Sequence, residues 1–176
     1  MNDAISIKRI SSPIGELILG VGQGGCRLIE FADRSDARRS LSGRPYNLRV
    51  SDADHALLRR VESELAAYFA GSAGASGTPA IPLDLRGTSF QVAVWKALLD
   101  IPHGEIRTYA EIAAAVRKPA AIRAVGSAIG RNPVCVLVPC HRVVRTGGGL
   151  GGYGGGLWRK EYLLDFEVRQ ASTRAA

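Results

Sequence analysis

The sequence predicts an α+β protein of two domains. Residues 1–80 should form a small antiparallel sheet with a helix, and residues 81–176 a mainly helical domain that contains a helix-turn-helix. Three observations predict this. Short apolar runs split by turn residues open the chain. Segments with apolar residues at helical spacing dominate the rest. A stretch rich in Gly, Ser, Ala and Pro, "SAGASGTPAIP" at 72–82, lies between and reads as a linker.

The elements follow in chain order. "ISIKRISSPIGELILGVGQGGCRLIEFAD" holds three apolar-alternating runs separated by "SPIG" and "GQGG", which predicts an antiparallel meander. After a polar stretch, Leu58, Val61, Leu65, Tyr68 and Phe69 keep a helical period, with Gly71 as the stop. Thr88 or Ser89 is placed to cap a helix with Phe90, Val94, Trp95 and Leu98 on one face. Thr108 caps a short helix over about 109–116. Lys118-Pro119 breaks it, and Pro119 opens a second helix that runs to Ile129 with Gly130 as its stop. The two helices and their break match a helix-turn-helix pattern, and a generic helical hairpin fits the same spacing. On the second helix Ile122, Val125 and Ile129 are expected to face the core, and Arg123 stands alone among Ala, Gly and Ser.

The chain has 176 residues, and 46% of them are hydrophobic, enough for a sizeable core. No run reaches the length of a membrane span, and the N-terminus lacks the basic start and apolar stretch of a signal peptide. A cytoplasmic protein is expected. Three cysteines without regular spacing argue against a disulfide scaffold and fit a reducing compartment. Cys135 and Cys140, with His55, His103 and His141, have poor spacing for zinc, so no metal is expected. The net charge is +7, and it is unevenly placed. Residues 1–85 hold 10 basic and 10 acidic side chains, and residues 86–176 hold 13 and 6. A basic second half is the footprint of phosphate contact as well as of ordinary solubility.

"NPVCVLVPCHRVV", at 132–144, carries the chemistry. A strand-like apolar run ends at Pro139, where the chain must turn for neighbouring side chains to cooperate, because a strand points them to opposite faces. A cysteine attacks as thiolate, and an imidazole, positive charge or oriented N–H groups lower its pKa. Cys140 is therefore a candidate nucleophile with His141 and Arg142 beside it, and a buried structural cysteine beside a satisfied histidine fits the same two residues. A third group must orient the imidazole. Glu161, Asp165 and Glu167 are on offer in the closing helix. Eight glycines fall between 147 and 156. Tyr153 among them, and the helix that follows, favour an ordered loop lying against a ligand over a linker. No Gly-Lys-Ser/Thr follows, which excludes a phosphate P-loop.

"PCHRVV" resembles the active-site motif of the O6-alkylguanine-DNA alkyltransferases, also called methylated-DNA–protein-cysteine methyltransferases. "FQVAVWKALLDIPHGEIRTYAEIAAAV", "AIRAVGSAIGRNPV" and "GGYGGGLWRKEYLLDFE" resemble the family in the same order. The likeness is strong over about 86–167 and closest to the bacterial forms. It implies a ribonuclease H-like N-terminal domain and irreversible transfer of an alkyl group from O6-alkylguanine in double-stranded DNA to Cys140, once per molecule. By resemblance, His141 acts through a water as base, Glu167 orients it, and Asn132 is a hinge between recognition helix and active-site loop. Tyr109 donates to the guanine or rotates the target phosphate, and Arg123 fills the space left by the flipped nucleotide. Ala121, Ala124, Gly126 and Ser127 would let the helix approach the minor groove. Pro139, Val143, Tyr153, Gly154 and Gly155 would form the substrate pocket, with Gly154 standing where many relatives carry Ser.

The second helix has few long polar side chains, which predicts little sequence preference, and the sequence gives no reason to expect an oligomer or a cofactor, so a monomer is expected. Vertebrate relatives hold zinc in the N-terminal half. Here that half offers only Cys26 and His55, so no zinc is expected. Cys135 stands where some relatives have Pro and reads as a buried apolar residue. A lesion binder without chemistry is the alternative, but such proteins have another residue at the position of Cys140. A cysteine hydrolase would leave the charge asymmetry and the paired helices unexplained.

Overall fold

The computed structural model describes residues 5–33, 48–49, 56–72 and 79–175. They form an α+β fold in two compact units. One comprises the described residues up to 72 together with Pro79–Leu85, and the other runs from Arg86. His55 and residues 73–78 of the expected linker lie outside the described residues.

In the first unit β1 (Ile5–Ile10), β2 (Leu17–Gly22) and β3 (Gly25–Phe31) form the antiparallel meander. β4 (Leu48–Arg49) extends it in parallel beside β1, giving the order β3-β2-β1-β4. Two residues in a polar stretch carry no periodic signal, so this strand was not expected. β2 and β3 are buried along their whole length, not on alternate residues. Strand side chains alternate, so both faces must be covered. One face carries Ile18 and Leu28 in a cluster with Ile7 and Ala32, and the other buries Leu17, Leu19, Ile29 and Phe31. Arg27 tolerates this burial because Asp84 accepts from its Nε at 2.6 Å.

Helix α1 (Ala56–Phe69) lies on the sheet through Leu58, Val61, Leu65 and Tyr68. The last residues of the expected linker are pinned. Cys26 N donates to Pro82 O at 2.8 Å, and Asp84 N donates to Cys26 O at 2.9 Å. Gly25 (φ +144°) makes that approach possible, since a Cβ there would lie 2.5 Å from Pro82 O.

The second unit starts with α2 (Ser89–Leu99), closed by a reciprocal capping box between Thr88 and Gln91. It buries Val94, Trp95 and Leu98, while Phe90 is half-buried. β5 (Arg107–Thr108) leads into α3 (Tyr109–Ala115), which has a second capping box from Thr108 to Glu111. The break after α3 differs from the expected Lys118-Pro119 stop. Arg117 takes a left-handed conformation (φ 57°), Lys118 N donates to Ala113 O and Arg117 N to Ala114 O. This is a Schellman ending with Arg where glycine is usual.

Helix α4 is Ile122–Gly130, so it starts three residues after Pro119, which sits in the intervening turn. Gly130 belongs to the helix instead of stopping it. As the first helical residue, Ile122 is 44% exposed and does not face the core, whereas Val125, Ala128 and Ile129 do. Trp95 Nε1 donates to Ala128 O at 2.9 Å, which fixes α4 to α2. The apolar run 132–138 forms tight turns and no strand. The strand β6 (Val143–Val144) follows it, parallel to β5. Helix α5 (Leu157–Ala175) completes the unit. No helix among the described residues is long and apolar enough to cross a membrane.

Candidate active site

The turns at 132–138 are braced by one side chain beside the backbone bonds from Val138 N to Val134 O and from Leu137 N to Cys135 O. Asn132 Oδ1 accepts from Val134 N at 3.0 Å, and its Nδ2 donates to Val138 O at 2.8 Å. Asn132 thus supplies the partners that a neighbouring strand would otherwise give. The loop it closes is tight enough to place Val136 at φ 71°. That is a rare conformation for a β-branched residue, and it costs on the order of 1–3 kcal/mol unless its surroundings enforce it.

Pro139 then leads into a single 3-10 turn, Cys140–Arg142. With three residues per turn, neighbouring side chains are not sent to opposite faces as in a strand. This is how adjacent Cys140 and His141 serve one site.

Cys140 is buried. The Cys135 thiol, the Asn132 side chain and the Lys160 cation all act on it. The Cys135 thiol leads these effects. Together they hold the thiol below its ordinary pKa, against burial, which pushes it up. Cys26 shows the contrast, since burial pushes its thiol up to about 12.

His141 is fully buried, with Nε2 2.8 Å from Glu167 Oε1. A carboxylate only accepts, so Nε2 carries the proton and Nδ1 is the basic nitrogen. Nδ1 has no protein partner among the described residues. Burial holds the imidazole below its ordinary pKa, so it is neutral at pH 7.

Glu167 is the hub of the site. Arg142 Nε donates to Oε2 at 2.8 Å, Arg142 Nη2 donates to Oε1 at 2.9 Å, and Gly104 N donates to Oε2 at 3.0 Å. Arg142 also donates from Nη1 to Ile101 O at 2.6 Å. Burial would raise the Glu167 carboxyl, but His141 and Arg142 outweigh it and hold it well below the usual range. His103 approaches the same carboxylate, with Nδ1 3.8 Å from Oε1.

Lys160 is buried, and its Nζ donates to Val143 O and Leu150 O. It therefore ties the strand after the cysteine to the glycine-rich loop. Burial lowers its pKa to about 8, partly offset by the Cys140 thiolate.

Tyr109 is the first residue of α3. Its hydroxyl donates to Gly152 O at 3.4 Å, and a Cβ added at Gly126 of α4 would lie 3.8 Å from its ring. Gly151 (φ +71°) must remain glycine, because a Cβ there would come within 2.7 Å of the tyrosine oxygen. The glycine-rich stretch is thus an ordered loop against Tyr109.

Asn132 braces the loop that leads to Cys140 and His141, Glu167 bonds to His141, and Tyr109 stands against the glycine-rich loop. Pro139 and Val143 flank the Cys140–Arg142 turn in the chain and are buried. Tyr153, Gly154 and Gly155 lie in the loop, and Gly155 O accepts from Arg159 Nη1 at 2.7 Å. Arg123, Ala124 and Ser127 form an exposed strip on α4, with Ala121 and Gly126 half-buried beside it. Arg123 has no hydrogen-bond or ion-pair partner among the described residues.

Sequence reasoning missed Lys160, the Arg142–Glu167 fork and the effect of Cys135. A signal for the first was present. Lys160, Leu163 and Glu167 share one helical face at i, i+3 and i+7, and Leu163 is the core residue between two buried charges.

These features describe an activated thiol beside a neutral, carboxylate-oriented imidazole. The comparisons with known proteins agree with that chemistry. Residues 89–169 match the model "6-O-methylguanine DNA methyltransferase, DNA binding domain". The methylated-DNA–protein-cysteine methyltransferase of Mycobacterium leprae is 44% identical over 169 residues, covering 96% of each chain. The chain belongs to the methylated-DNA–protein-cysteine methyltransferase family. The protein of that name from Methanosarcina barkeri is 40% identical over 90% of this chain and 94% of its own. Among solved structures, Mycobacterium tuberculosis OGT in complex with DNA aligns with a TM-score of 0.77 and 40% identity, over 95% of this chain and 94% of its own.

In this methyltransferase, Lys160→Met should raise the pKa of Cys140, since it removes a cation that favours the thiolate. The rate of iodoacetamide labelling against pH measures this. Labelling of the wild type should be half-maximal below the 9.0 of an ordinary thiol, and the variant's curve should shift upward. Coincident curves would remove Lys160 from the activation of the thiol.

Proposed function

We propose that this chain repairs O6-alkylguanine in double-stranded DNA by transferring the alkyl group irreversibly to Cys140. The observation that carries the reading is the lowered pKa of Cys140 beside a neutral His141 that Glu167 orients. Family membership adds the methylated-DNA substrate class. Residues 81–176 would bind the DNA and react with it, and residues 1–80 would form a separate domain.

The lesion oxygen lies within a stacked duplex, out of reach of a protein sulfur, so the nucleotide must be extruded. Extrusion costs a few kcal/mol, less for a poorly paired damaged base. The small residues Ala121, Ala124, Gly126 and Ser127 suit close approach of α4 to the minor groove, and Arg123 would enter the vacated stack. Such a face offers few long polar side chains to base edges, so binding should be almost independent of sequence and rest on phosphates.

Pro139, Val143, Tyr153, Gly154 and Gly155 would line the pocket for the extruded base. His141, through a water, would take the Cys140 proton. The sulfur then attacks the alkyl carbon, the C–O bond breaks, and guanine leaves with the electron pair. Tyr109 would meet that charge with a proton. The product is a thioether, and no group near Cys140 is suited to cleave it, so each molecule acts once. The protein would act as a monomer, without metal or cofactor, in the reducing cytoplasm.

Intact-mass analysis after mixing with excess duplex containing O6-methylguanine tests the reading. One methyl per chain, mapped to Cys140, is expected. Tight binding with unchanged mass would make the chain a lesion binder, and repeated product release would make it a hydrolase.

Arg123→Ala should slow repair of the duplex by on the order of 10-fold or more, because a stacking replacement worth a few kcal/mol is lost. Reaction with the free base O6-benzylguanine, which needs no extrusion, should be nearly unchanged. Equal losses on both substrates would assign Arg123 to the chemistry or the fold.

A further inference from the structure

His103 has no role in the transfer proposed above, yet its side chain is buried within the charged cluster of the site. It belongs to the turn that follows α2, and that turn grips the Arg142–Glu167 fork on either side of the histidine. Ile101 O accepts from Arg142 Nη1 at 2.6 Å, and Gly104 N donates to Glu167 Oε2 at 3.0 Å. Gly104 (φ +80°) brings the turn against α5, since a Cβ there would lie 3.0 Å from Ala171 Cβ. Between these two anchors the His103 side chain is 3% exposed, and its Nδ1 lies 3.8 Å from Glu167 Oε1. The same oxygen accepts from His141 Nε2 at 2.8 Å and from Arg142 Nη2 at 2.9 Å. Two buried imidazoles therefore share one carboxylate oxygen.

The charges decide what this pair can hold. With both rings neutral, Glu167 and Arg142 cancel. One added proton leaves a net positive charge, and a second would double it in a buried space, which like-charge repulsion opposes. The two rings thus compete for one proton. On His141 it would have to sit at Nδ1, where no protein group among the described residues receives it. Burial opposes a charge on that ring, Glu167 favours it, Arg142 and Lys160 oppose it, and the balance holds the ring below its ordinary pKa. On His103 a proton at Nδ1 faces the carboxylate at ion-pair distance. In the same stretch of chain Glu105 is exposed and pairs with Arg107 at 2.9 Å, so Glu167 is the carboxylate that His103 meets.

We propose that His103 is a positioning residue, which takes up the proton that reaches this cluster and so keeps Nδ1 of His141 open as the base. It acts through Glu167. The charge on His103 is balanced at Oε1, and it raises the cost of a second proton on His141. Glu167 stays ionised, so the hydrogen bond that orients His141 is kept. Transfer therefore persists to a lower pH than a lone imidazole on that carboxylate would allow. This benefit rests on the reading of His141 as the base; the placing of the proton does not.

The test is a pH titration of the full chain, followed by long-range proton–nitrogen spectra of the imidazoles, which report the protonation of each ring nitrogen. Signals are assigned through bonds in the wild type, so this first reading needs no variant to fold. His103 should gain its proton at higher pH than His141, and His141 Nδ1 should stay unprotonated while His103 is charged. In His103→Asn and His103→Phe, which cannot take the proton, His141 should become charged at higher pH than in wild type. The transfer rate at pH 5.5, divided by the rate of the same protein at pH 8, should be on the order of 10-fold lower in both variants than in wild type, because a base that takes its proton earlier is scarcer in acid. A packing role alone would lower both rates together and leave the ratio unchanged. A wild type in which His141 is protonated before His103, or variants whose His141 titration or rate ratio matches wild type, would overturn the proposal. The expected spectra in a protein whose methyl is found elsewhere than on Cys140 would refute the proposed function and leave the placing of the proton standing.

Discussion

Replacement of Cys140 by Ser should abolish methyl transfer while leaving DNA affinity close to that of wild type. The two side chains have nearly the same shape, and the site surrounds the atom with fixed partners, so the fold has no reason to change. The nucleophile changes completely. The surroundings of Cys140, namely the Cys135 thiol, the Asn132 side chain and the Lys160 cation, hold its thiol below the ordinary pKa against burial, which favours the thiolate. The same shift applied to a hydroxyl leaves it protonated, because it starts many units higher. The loss should therefore reach the limit of detection. Intact mass after prolonged incubation with excess O6-methylguanine duplex measures transfer, and a mobility-shift titration measures binding. Any methylated Cys140→Ser protein would end the assignment of Cys140. A loss of binding as large as the loss of transfer would show that the thiol is structural.

Glu167→Gln should cost both stability and rate. The carboxylate is almost fully buried and meets the Arg142 fork on two oxygens. An amide offers one oxygen, so the guanidinium keeps its charge and loses its counter-charge. Breaking a buried pair in this way costs about 3–5 kcal/mol, to be read from urea unfolding. The amide nitrogen can also donate to His141 Nε2. That moves the ring proton to Nδ1, and the basic nitrogen is then lost. A wrong tautomer of this kind lowers rates by roughly 10²–10⁴-fold.

The pH dependence separates the two buried groups. His141 has a folded pKa below its ordinary 6.5, so it is held neutral, and its contribution is present above 6.5 and lost as pH falls through that range. Glu167 has a folded pKa below its ordinary 4.5, so its contribution is present above 4.5 and is lost as pH falls further. Wild-type stability should decline in both ranges. The variant should keep the first decline and lack the second, so the gap between the two proteins narrows below pH 4.5. A gap that is constant down to pH 3 would exclude the Glu167 carboxylate as its source.

Local rules made much of the fold legible. Thr88 and Thr108 cap helices because each is followed three residues later by a Gln or Glu that returns the hydrogen bond. The meander is marked by its turn residues. The misreadings occurred where one local hydrogen-bonding pattern displaced another. Pro119 suits a helix start, but the Schellman ending at Arg117 and Lys118 delays α4 to Ile122. The run at 133–138 is apolar enough for a strand, yet the Asn132 side chain meets Val134 N and Val138 O while turn bonds meet Val134 O and Cys135 O, and the chain forms turns instead.

In the site, Cys140 and His141 announce themselves as neighbours. Glu167 could not be chosen over Glu161 or Asp165 by chemistry alone, because all three lie on one helix. What distinguishes it is the face it shares with Leu163. Lys160 was missed for the same reason, since a buried ammonium is explained only by the carbonyls of Val143 and Leu150, both distant in the chain.

The position of α5 also bears on how the protein is made. The loop that holds Cys140 closes through near neighbours, with Asn132 reaching only six residues ahead. The Lys160 cation and the Glu167 carboxylate arrive 20 and 27 residues after the cysteine, on the last described helix. Synthesis runs from the N-terminus, so the ribosome releases Cys140 before either partner. Until α5 docks, Arg142 lacks its carboxylate, His141 has no fixed tautomer, and the thiol lacks its nearby ammonium. The nascent chain therefore carries a less reactive sulfur through the crowded surroundings of translation until α5 comes to rest.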